Sequence, residues 1–280
     1  MNIGIIGAGN IGGTLAELFA RTGHRVALSN SRGPETLQDK VAELGPNVTA
    51  MTAEDAAKFG EVVLEAVPFG NYQHLPAEAL RGKIVISASN YYPNRDGDIE
   101  LSNTTQTGLV ARHLNGSRVV KAFNTIFWQH LRDQGDPSLP LEQRRAIFIA
   151  GDDAEAKRVV TELIESLGFA AVDTGTLSES VVQEPGSPVS GSRMSASPFS
   201  GGWPCFSSYA SSRWSARYRL WVWSDSTSGS ENVSTWPEAS HTWRGRITDE
   251  SSPTVSSRLV TMLRHHCFLM FSLSSTPSGP

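Results

Sequence analysis

The chain is poor in cysteine and lysine and has no long hydrophobic run. Its two cysteines, Cys205 and Cys267, both fall in the last third, and its five lysines stop at Lys157. Two cysteines do not make the dense disulfide framework of a small secreted domain, so a reducing, cytoplasmic setting is expected. The most apolar stretch of the C-terminal part, around Cys267 to Leu273, is far short of the roughly 20 residues that span a bilayer, and no membrane attachment is expected. An apolar strand begins at residue 2, leaving no room for the basic, apolar and cleavage regions of a secretory leader. Sequons such as Asn103-Thr104-Thr105 then carry no meaning. No basic stripe stands out against a net charge of −4, so nucleic acid is not an expected partner. His74, His113 and His130 have no clustered carboxylates or thiols around them in sequence, and no metal site is expected.

One set of totals hides two compositions. Residues 1–180 hold all five lysines and carry 16 basic against 22 acidic side chains, a net of −6. Residues 181–280 hold no lysine, eight arginines, 25 serines, both cysteines and six of the seven tryptophans. The break predicts one folded domain over 1–180 and an irregular tail over 181–280. From about residue 191 the tail has no periodic apolar pattern, and it reads as disordered chain or as translation in a shifted frame. Disordered segments are ordinarily poor in tryptophan, which makes the composition awkward even for a linker.

What is present is concentrated in the first 32 residues. A short apolar strand, Ile3 to Ile6, runs into Gly7, Gly9 and Gly12 and then into a helix with apolar positions at Ile11, Leu15, Leu18 and Phe19, closed by Gly23. Glycines at that spacing let the backbone turn tightly, approach a pyrophosphate and aim helix N-terminal amides at it. The alternative is a glycine-rich turn with no ligand. The second strand, Arg25 to Ser29, ends where an NAD enzyme presents a carboxylate to the ribose hydroxyls, about 20 residues beyond the glycines. Asn30, 18 residues after Gly12, stands there instead, followed by Ser31 and Arg32. A hydroxyl and a guanidinium suit a dianionic 2′-phosphate that a carboxylate would repel, so NADP is the expected cofactor. The plainer reading of Arg32 is a solvated loop arginine.

Strands and helices then alternate as in a doubly wound, mostly parallel α/β Rossmann sheet. Strands are expected at Val48 to Met51, Glu61 to Val67, Lys83 to Ser87, Arg118 to Ala122, Ala146 to Ala150 and Ala170 to Asp173. Helices are expected at Pro34 to Leu44, Ala53 to Lys58, Asn71 to Ala79, Thr105 to Leu114 and Asp153 to Leu167. The last is the cleanest, with a capping box suggested by Asp152 and Glu155 and an apolar stripe from Ala156 to Leu167 that Gly168 ends.

Open α/β sheets bind ligands beyond the carboxyl ends of their strands. Besides the glycine turn, the segments Val67 to Gly70, Ser89 to Pro93 and Ala122 to Thr125 lie there. Ser89 to Thr104 is long for a connection in such a fold and favours binding over linkage, against a solvated excursion with Tyr91 and Tyr92 packed on the domain edge. Asn124 has two readings: an amide that orients a carboxamide or carbonyl, or a cap for a helix from Thr125.

The turn GIIGAGNIGG, the loop NSRGPETL, the strand end AVPFG, the segment SASNYYPNRDG, the run VVKAFNT and the late GDDAEAKRVV together resemble the NADPH-dependent coenzyme F-420 reductase family. The resemblance covers residues 1 to about 190, with PGSP at 185–188 in keeping. It implies hydride transfer between the nicotinamide C4 of NADP and the C5 of the deazaflavin coenzyme F-420. It also implies that Gly7, Gly9, Asn10, Ile11 and Gly12 hold the pyrophosphate, Ser31 and Arg32 the 2′-phosphate, and Val67, Pro68, Asn90 and Asn124 the nicotinamide end. No catalytic side chain is implied. The loop is less basic than in archaeal-type members, which leaves the small-molecule hydride acceptor open. Homodimerisation is also left open.

Three rivals are weighed. A 3-hydroxyacid or imine reductase would follow this domain with a helical one, but no lysine follows Lys157 and the tail shows no sustained helical stripe. The cytoplasmic domain of membrane metalloreductases is similar, but their membrane spans are not in this sequence. A non-enzymatic NADP-binding or sensing module is separated from an enzyme only by turnover.

Overall fold

The computed structural model describes residues 1–187, 189–190 and the backbone of 194–195 and 221–222. Along this stretch strands and helices take turns: β1 (Asn2–Ile6), α1 (Asn10–Arg21), β2 (Arg25–Ser29), α2 (Gln38–Leu44), β3 (Val48–Ala50), α3 (Ala53–Phe59) and β4 (Val62–Glu65). They are followed by α4 (Ala77–Leu80), β5 (Ile84–Ser87), α5 (Pro93–Asp96), α6 (Gln106–His113), β6 (Arg118–Lys121), α7 (Trp128–Asp133), β7 (Ala146–Gly151), α8 (Ala154–Ser166) and β8 (Ala170–Asp173). The eight strands form one sheet in the order β3-β2-β1-β4-β5-β6-β7-β8. Every pairing is parallel except β6 with β7, which is antiparallel. The fold is the expected α/β, doubly wound Rossmann sheet.

Strand alternation explains the layering. Ile3, Ile5, Leu64 and Ile86 face one side, where Leu15 and Phe19 of α1, Leu131 of α7 and Val160 and Ile164 of α8 cover them. Val63, Val85 and Val119 face the other, against Ala57 of α3, Leu80 of α4 and Val110 of α6. With both faces covered, strands read as nearly continuous apolar runs. Each fully buried aliphatic or phenyl side chain contributes roughly 1.5–3 kcal/mol.

Several boundaries differ from the sequence expectation, each for a local reason. The helix expected over Asn71 to Ala79 is a 3-10 turn, Phe69–His74, followed by α4, with Leu75 extended (ψ 138°) between them. Pro76 disfavours a helical conformation at the residue before it and has no N–H to continue the turn. β4 stops at Glu65 rather than Val67, and the Val67 N–H is held by the Glu65 carboxylate at 3.2 Å. The helix expected from Thr125 begins at Trp128, so Asn124 is no helix cap. Asp153, not Asp152, caps α8 by accepting from Ala156 N at 2.7 Å, while Asp152 accepts from Leu177 N at 2.9 Å. A complete capping box sits instead on the 3-10 helix Leu177–Gln183, between Thr176 and Glu179. Two short antiparallel strands, β9 (Met194–Ser195) and β10 (Trp221–Val222), follow. The remaining expectations for the tail, and those for Cys205 and Cys267, lie outside the described residues.

Candidate functional site

The sheet order reverses direction between β1 and β4, and the loops after β1, β2, β4, β5 and β6 all emerge at the carboxyl edge around that point. Here the strand ends are stitched together. Gly7 N donates to Ser29 O (3.0 Å), Ala66 N to Ile6 O (2.9 Å), Ala88 N to Glu65 O (2.9 Å) and Ala122 N to Ser87 O (3.1 Å). The site is a crevice at a topological switch point, the place where such sheets take ligands.

The glycine turn uses its three glycines differently. Gly7 has φ 113°, a conformation L side chains rarely adopt, and a Cβ there would lie 2.5 Å from Ala66 O. A Cβ on Gly12 would lie 1.8 Å from Gly7 O, so only glycine lets α1 start this close to the strand. A Cβ on Gly9 would meet nothing within 4 Å. Gly9 is the residue preceding α1, no side chain caps that helix end, and its first turn holds no acidic residue. The leading amides of α1 lie next to this open position at Gly9, at the positive end of the helix dipole.

After β2, Asn30 shapes the loop. Its Oδ1 accepts from Arg32 N (2.9 Å) and its Nδ2 donates to Thr36 Oγ1 (2.9 Å), which in turn donates to Gly33 O (2.8 Å). The result presents Ser31 and Arg32 to solvent. Among the described residues the Arg32 side chain has no hydrogen-bond or ion-pair partner. Lys40 of α2 reaches back to the turn and donates to Ala8 O at 2.9 Å. Sequence reading missed this second cation, because a lysine on an amphipathic helix looks like an ordinary solvated residue.

Across the switch point, Asn90 and Asn124 clasp one another. Asn90 Nδ2 donates to Asn124 O (2.7 Å), and Asn124 Nδ2 donates to Asn90 Oδ1 (3.1 Å) and to Gln183 O (2.7 Å). Asn124 is only 8% exposed, and its Oδ1 is buried without a partner among the described residues. The preceding residue, Phe123, is fully buried and has φ 62°, an unfavourable backbone for a bulky side chain. Such strain costs on the order of 1–3 kcal/mol and is sustained by the packing around it. Val67 and Pro68 lie in the loop after β4. Tyr91 is a packing residue: its ring lies 5.5 Å from that of Phe69, and its hydroxyl donates to Gly97 O and accepts from Ile99 N. Tyr92 remains 43% exposed under the Arg95 guanidinium.

Two buried charges lie at the same strand ends and were not singled out from sequence. Glu65 is completely buried. Its Oε2 accepts from Ser87 Oγ (2.8 Å) and Ser89 Oγ (3.1 Å), and burial pushes its carboxyl above the usual range. Lys121 is also completely buried, donates to Thr107 Oγ1 at 2.9 Å, and is lowered by burial to about 8. The available signal was a charge closing an apolar run in each of two strands, VVLE and RVVK, the second also opening on Arg118. The histidines play other parts: His113 Nε2 is 3.1 Å from Leu75 O, and His130 packs edge-on to Phe127. Among the described residues no helix is long and apolar enough to cross a membrane.

Comparison with known proteins agrees with this geometry. The family model for NADP oxidoreductase coenzyme F420-dependent matches residues 2–91, which span the glycine turn, the Ser31–Arg32 loop and Val67 to Asn90. The solved structure of the hypothetical protein SMa0349 from Sinorhizobium meliloti is 35% identical, with a TM-score of 0.62, over 69% of this chain and 94% of that one. A structure from Arthrobacter sp. FB24, described as a candidate F420-dependent NADP reductase, is 26% identical, with a TM-score of 0.53, over 63% of this chain and 86% of that one. Metalloreductase STEAP3 of Rattus norvegicus is 32% identical over 178 residues, 62% of this chain and 34% of that protein. The chain thus spans about a third of the length of the curated relatives it matches. With its glycine turn and mostly parallel sheet in place, the chain belongs to the family of coenzyme F420-dependent NADP oxidoreductases.

Proposed function

We propose that residues 1–180 form the dinucleotide-binding unit of a reductase that binds NADP(H) along the carboxyl edge of the sheet and exchanges a hydride with a planar small-molecule acceptor, a deazaflavin of the coenzyme F-420 type. The observation that carries this reading is the pairing of an uncapped α1 N-terminus, open at Gly9, with Arg32 in the loop after β2, whose side chain has no partner among the described residues. The residues present fit the cofactor. Amides of Asn10, Ile11 and Gly12 receive the pyrophosphate, Ser31 and Arg32 take the 2′-phosphate, and the free Oδ1 of Asn124 accepts from the nicotinamide carboxamide beside Val67, Pro68 and Asn90. A carboxamide N–H there satisfies a buried acceptor that otherwise costs roughly 1–3 kcal/mol.

When bound, the dinucleotide supplies the hydride at its nicotinamide C4, and the deazaflavin takes it at C5. The protein's part is placement: it holds one ring against the Asn90–Asn124 clasp so that a second ring stacks on it with water excluded. Proximity and orientation of this kind account for several kcal/mol of rate enhancement without a nucleophile. The test is a titration with NADPH and NADH followed by an acceptor-dependent assay. Tight NADPH binding, and NADPH oxidation only when a deazaflavin is added, are expected. NADPH binding without turnover on any acceptor would mark a sensor, and equal affinity for NADH would remove the 2′-phosphate assignment.

A further inference from the structure

A polar row crosses three strands directly behind the nicotinamide end. Glu65 of β4 is the register partner of Ser87 on β5, and Ser87 is the partner of Lys121 on β6. All three are completely buried, on the face where Val63, Val85 and Val119 continue as apolar core. Strands lie about 4.8 Å apart, so the Glu65 and Lys121 backbones are separated by about 10 Å. Among the described residues neither makes a contact ion pair. The Glu65 carboxylate is tied to the site itself, accepting from Val67 N at 3.2 Å and from Ser89 Oγ at 3.1 Å. Lys121 spends one proton on Thr107 of α6, and Glu184, whose Oε1 accepts from Gln106 N at 2.8 Å, is the other carboxylate whose charge it feels.

A neutral amide at position 65 can still accept from Val67 N through its oxygen, with the Ser87 and Ser89 hydroxyls turned to accept from its N–H groups. What the carboxyl group adds is charge, in a medium where charge acts at longer range than in water. We propose that Glu65 tunes the cofactor's oxidation state: its negative charge, one hydrogen bond behind Val67 and Ser89, favours the cationic ring of NADP+ over the neutral ring of NADPH. Hydride donation by NADPH becomes more favourable as a result. This rests on the assignment of the nicotinamide to Val67, Asn90 and Asn124. Lys121 opposes the effect while it is protonated. Raising the pH removes a proton from Glu65 or from Lys121, and each loss strengthens the bias in the same direction.

Parallel titrations with NADP+ and NADPH test this without an acceptor, because the 2′-phosphate contributes to both affinities and cancels in their ratio. Glu65→Gln is expected to weaken NADP+ relative to NADPH by about three- to tenfold, with NADPH affinity close to that of the parent. An unchanged ratio in a Glu65→Gln protein that binds both forms overturns the proposal and leaves the site assignment standing. Failure of the parent to bind either form overturns both. Should Glu65→Gln not fold, the parent's ratio across about pH 6 to 9 decides: a shift toward NADP+ with rising pH supports the proposal, and a flat ratio overturns it.

Discussion

Asn90 and Asn124 hold one another across the ends of β5 and β6, each donating a side-chain N–H to the other residue. Because Asn124 also donates to Gln183 O, both of its amide protons are committed and Oδ1 is its one spare group. Asn124→Ala removes two donors, leaving Gln183 O and Asn90 Oδ1 without them. A loss of about 1–3 kcal/mol in urea unfolding is expected, together with about tenfold weaker NADPH binding. Full NADPH affinity in a folded Asn124→Ala protein would place the carboxamide elsewhere.

The proposed 2′-phosphate contact makes Arg32 the residue whose loss should change the choice between dinucleotides. Its loop is already set by Asn30 and Thr36, so Arg32→Ala removes a charge without unfolding the turn. A charge-assisted hydrogen bond is worth roughly 1.5–3 kcal/mol, and the preference for NADPH over NADH should fall by about tenfold to a hundredfold. Fluorescence titration with both dinucleotides measures it. An Arg32→Ala protein that still prefers NADPH as strongly would assign the 2′-phosphate to another cation, with Lys40 the next to replace.

Gly9 and Gly12 separate ligand effects from fold effects. Among the described residues nothing opposes a side chain at Gly9, whereas a methyl at Gly12 overlaps the Gly7 carbonyl. Gly9→Val should keep the circular dichroism spectrum of the parent and lose dinucleotide binding, while Gly12→Ala should lower the melting temperature. Retained NADPH binding by folded Gly9→Val would argue that the pyrophosphate does not approach this turn.

The first crevice wall is readable in sequence because its chemistry is backbone chemistry. Gly7 and Gly12 mark a turn that only glycine fits, and the absence of a carboxylate after Ser29 is the signal on which the proposed 2′-phosphate contact rests. The strands from Arg25 to Ser29 and from Ala170 to Asp173 fall at the expected residues because β-branched and apolar runs are bounded by turn residues. The second wall is less legible. Asn124 reads equally as a helix cap until the strained Phe123 backbone and Gln183, 59 residues away, fix its partners. Glu65 and Lys121 look like strand-edge charges until the sheet order places them in a buried row, and long-range register is not written in local pattern.

Lys121 gives the fold a distinctive pH dependence. Burial lowers it from 10.5 to about 8, so between those values the unfolded chain holds a proton that the folded chain has released. Stability therefore rises with pH through that interval, and the cost of burying the charge is fully present below it. The difference corresponds to about 3 kcal/mol. Urea unfolding of the parent and of Lys121→Met at about pH 7.5 and about pH 10 isolates the contribution. The parent should gain on Lys121→Met as the pH rises, and a constant gap between them would show that Lys121 is not held in an apolar setting.

Hydrogen bonds from the segment after β8 carry the end of the functional unit past the composition break at residue 180. Every proposed cofactor contact precedes residue 125, but the segment after β8 supports them. Leu177, Ser180 and Gln183 are buried, Gln183 O takes an Asn124 proton, Thr105 Oγ1 donates to Leu177 O, and Glu184 accepts from Gln106 N at the start of α6. A chain ending at Ser190 keeps all of these and should bind NADPH as the full chain does. A chain ending at Gly175 loses them, uncovers Asn124 and the N-terminus of α6, and should be less stable and bind NADPH more weakly. Thermal melts and NADPH titrations of the two truncated chains beside the full chain check this. Loss of binding in the chain ending at Ser190 would show that residues 191–280 belong to the cofactor unit, and equal behaviour of the two truncations would show that the segment from Thr176 to Glu184 does not hold the site together.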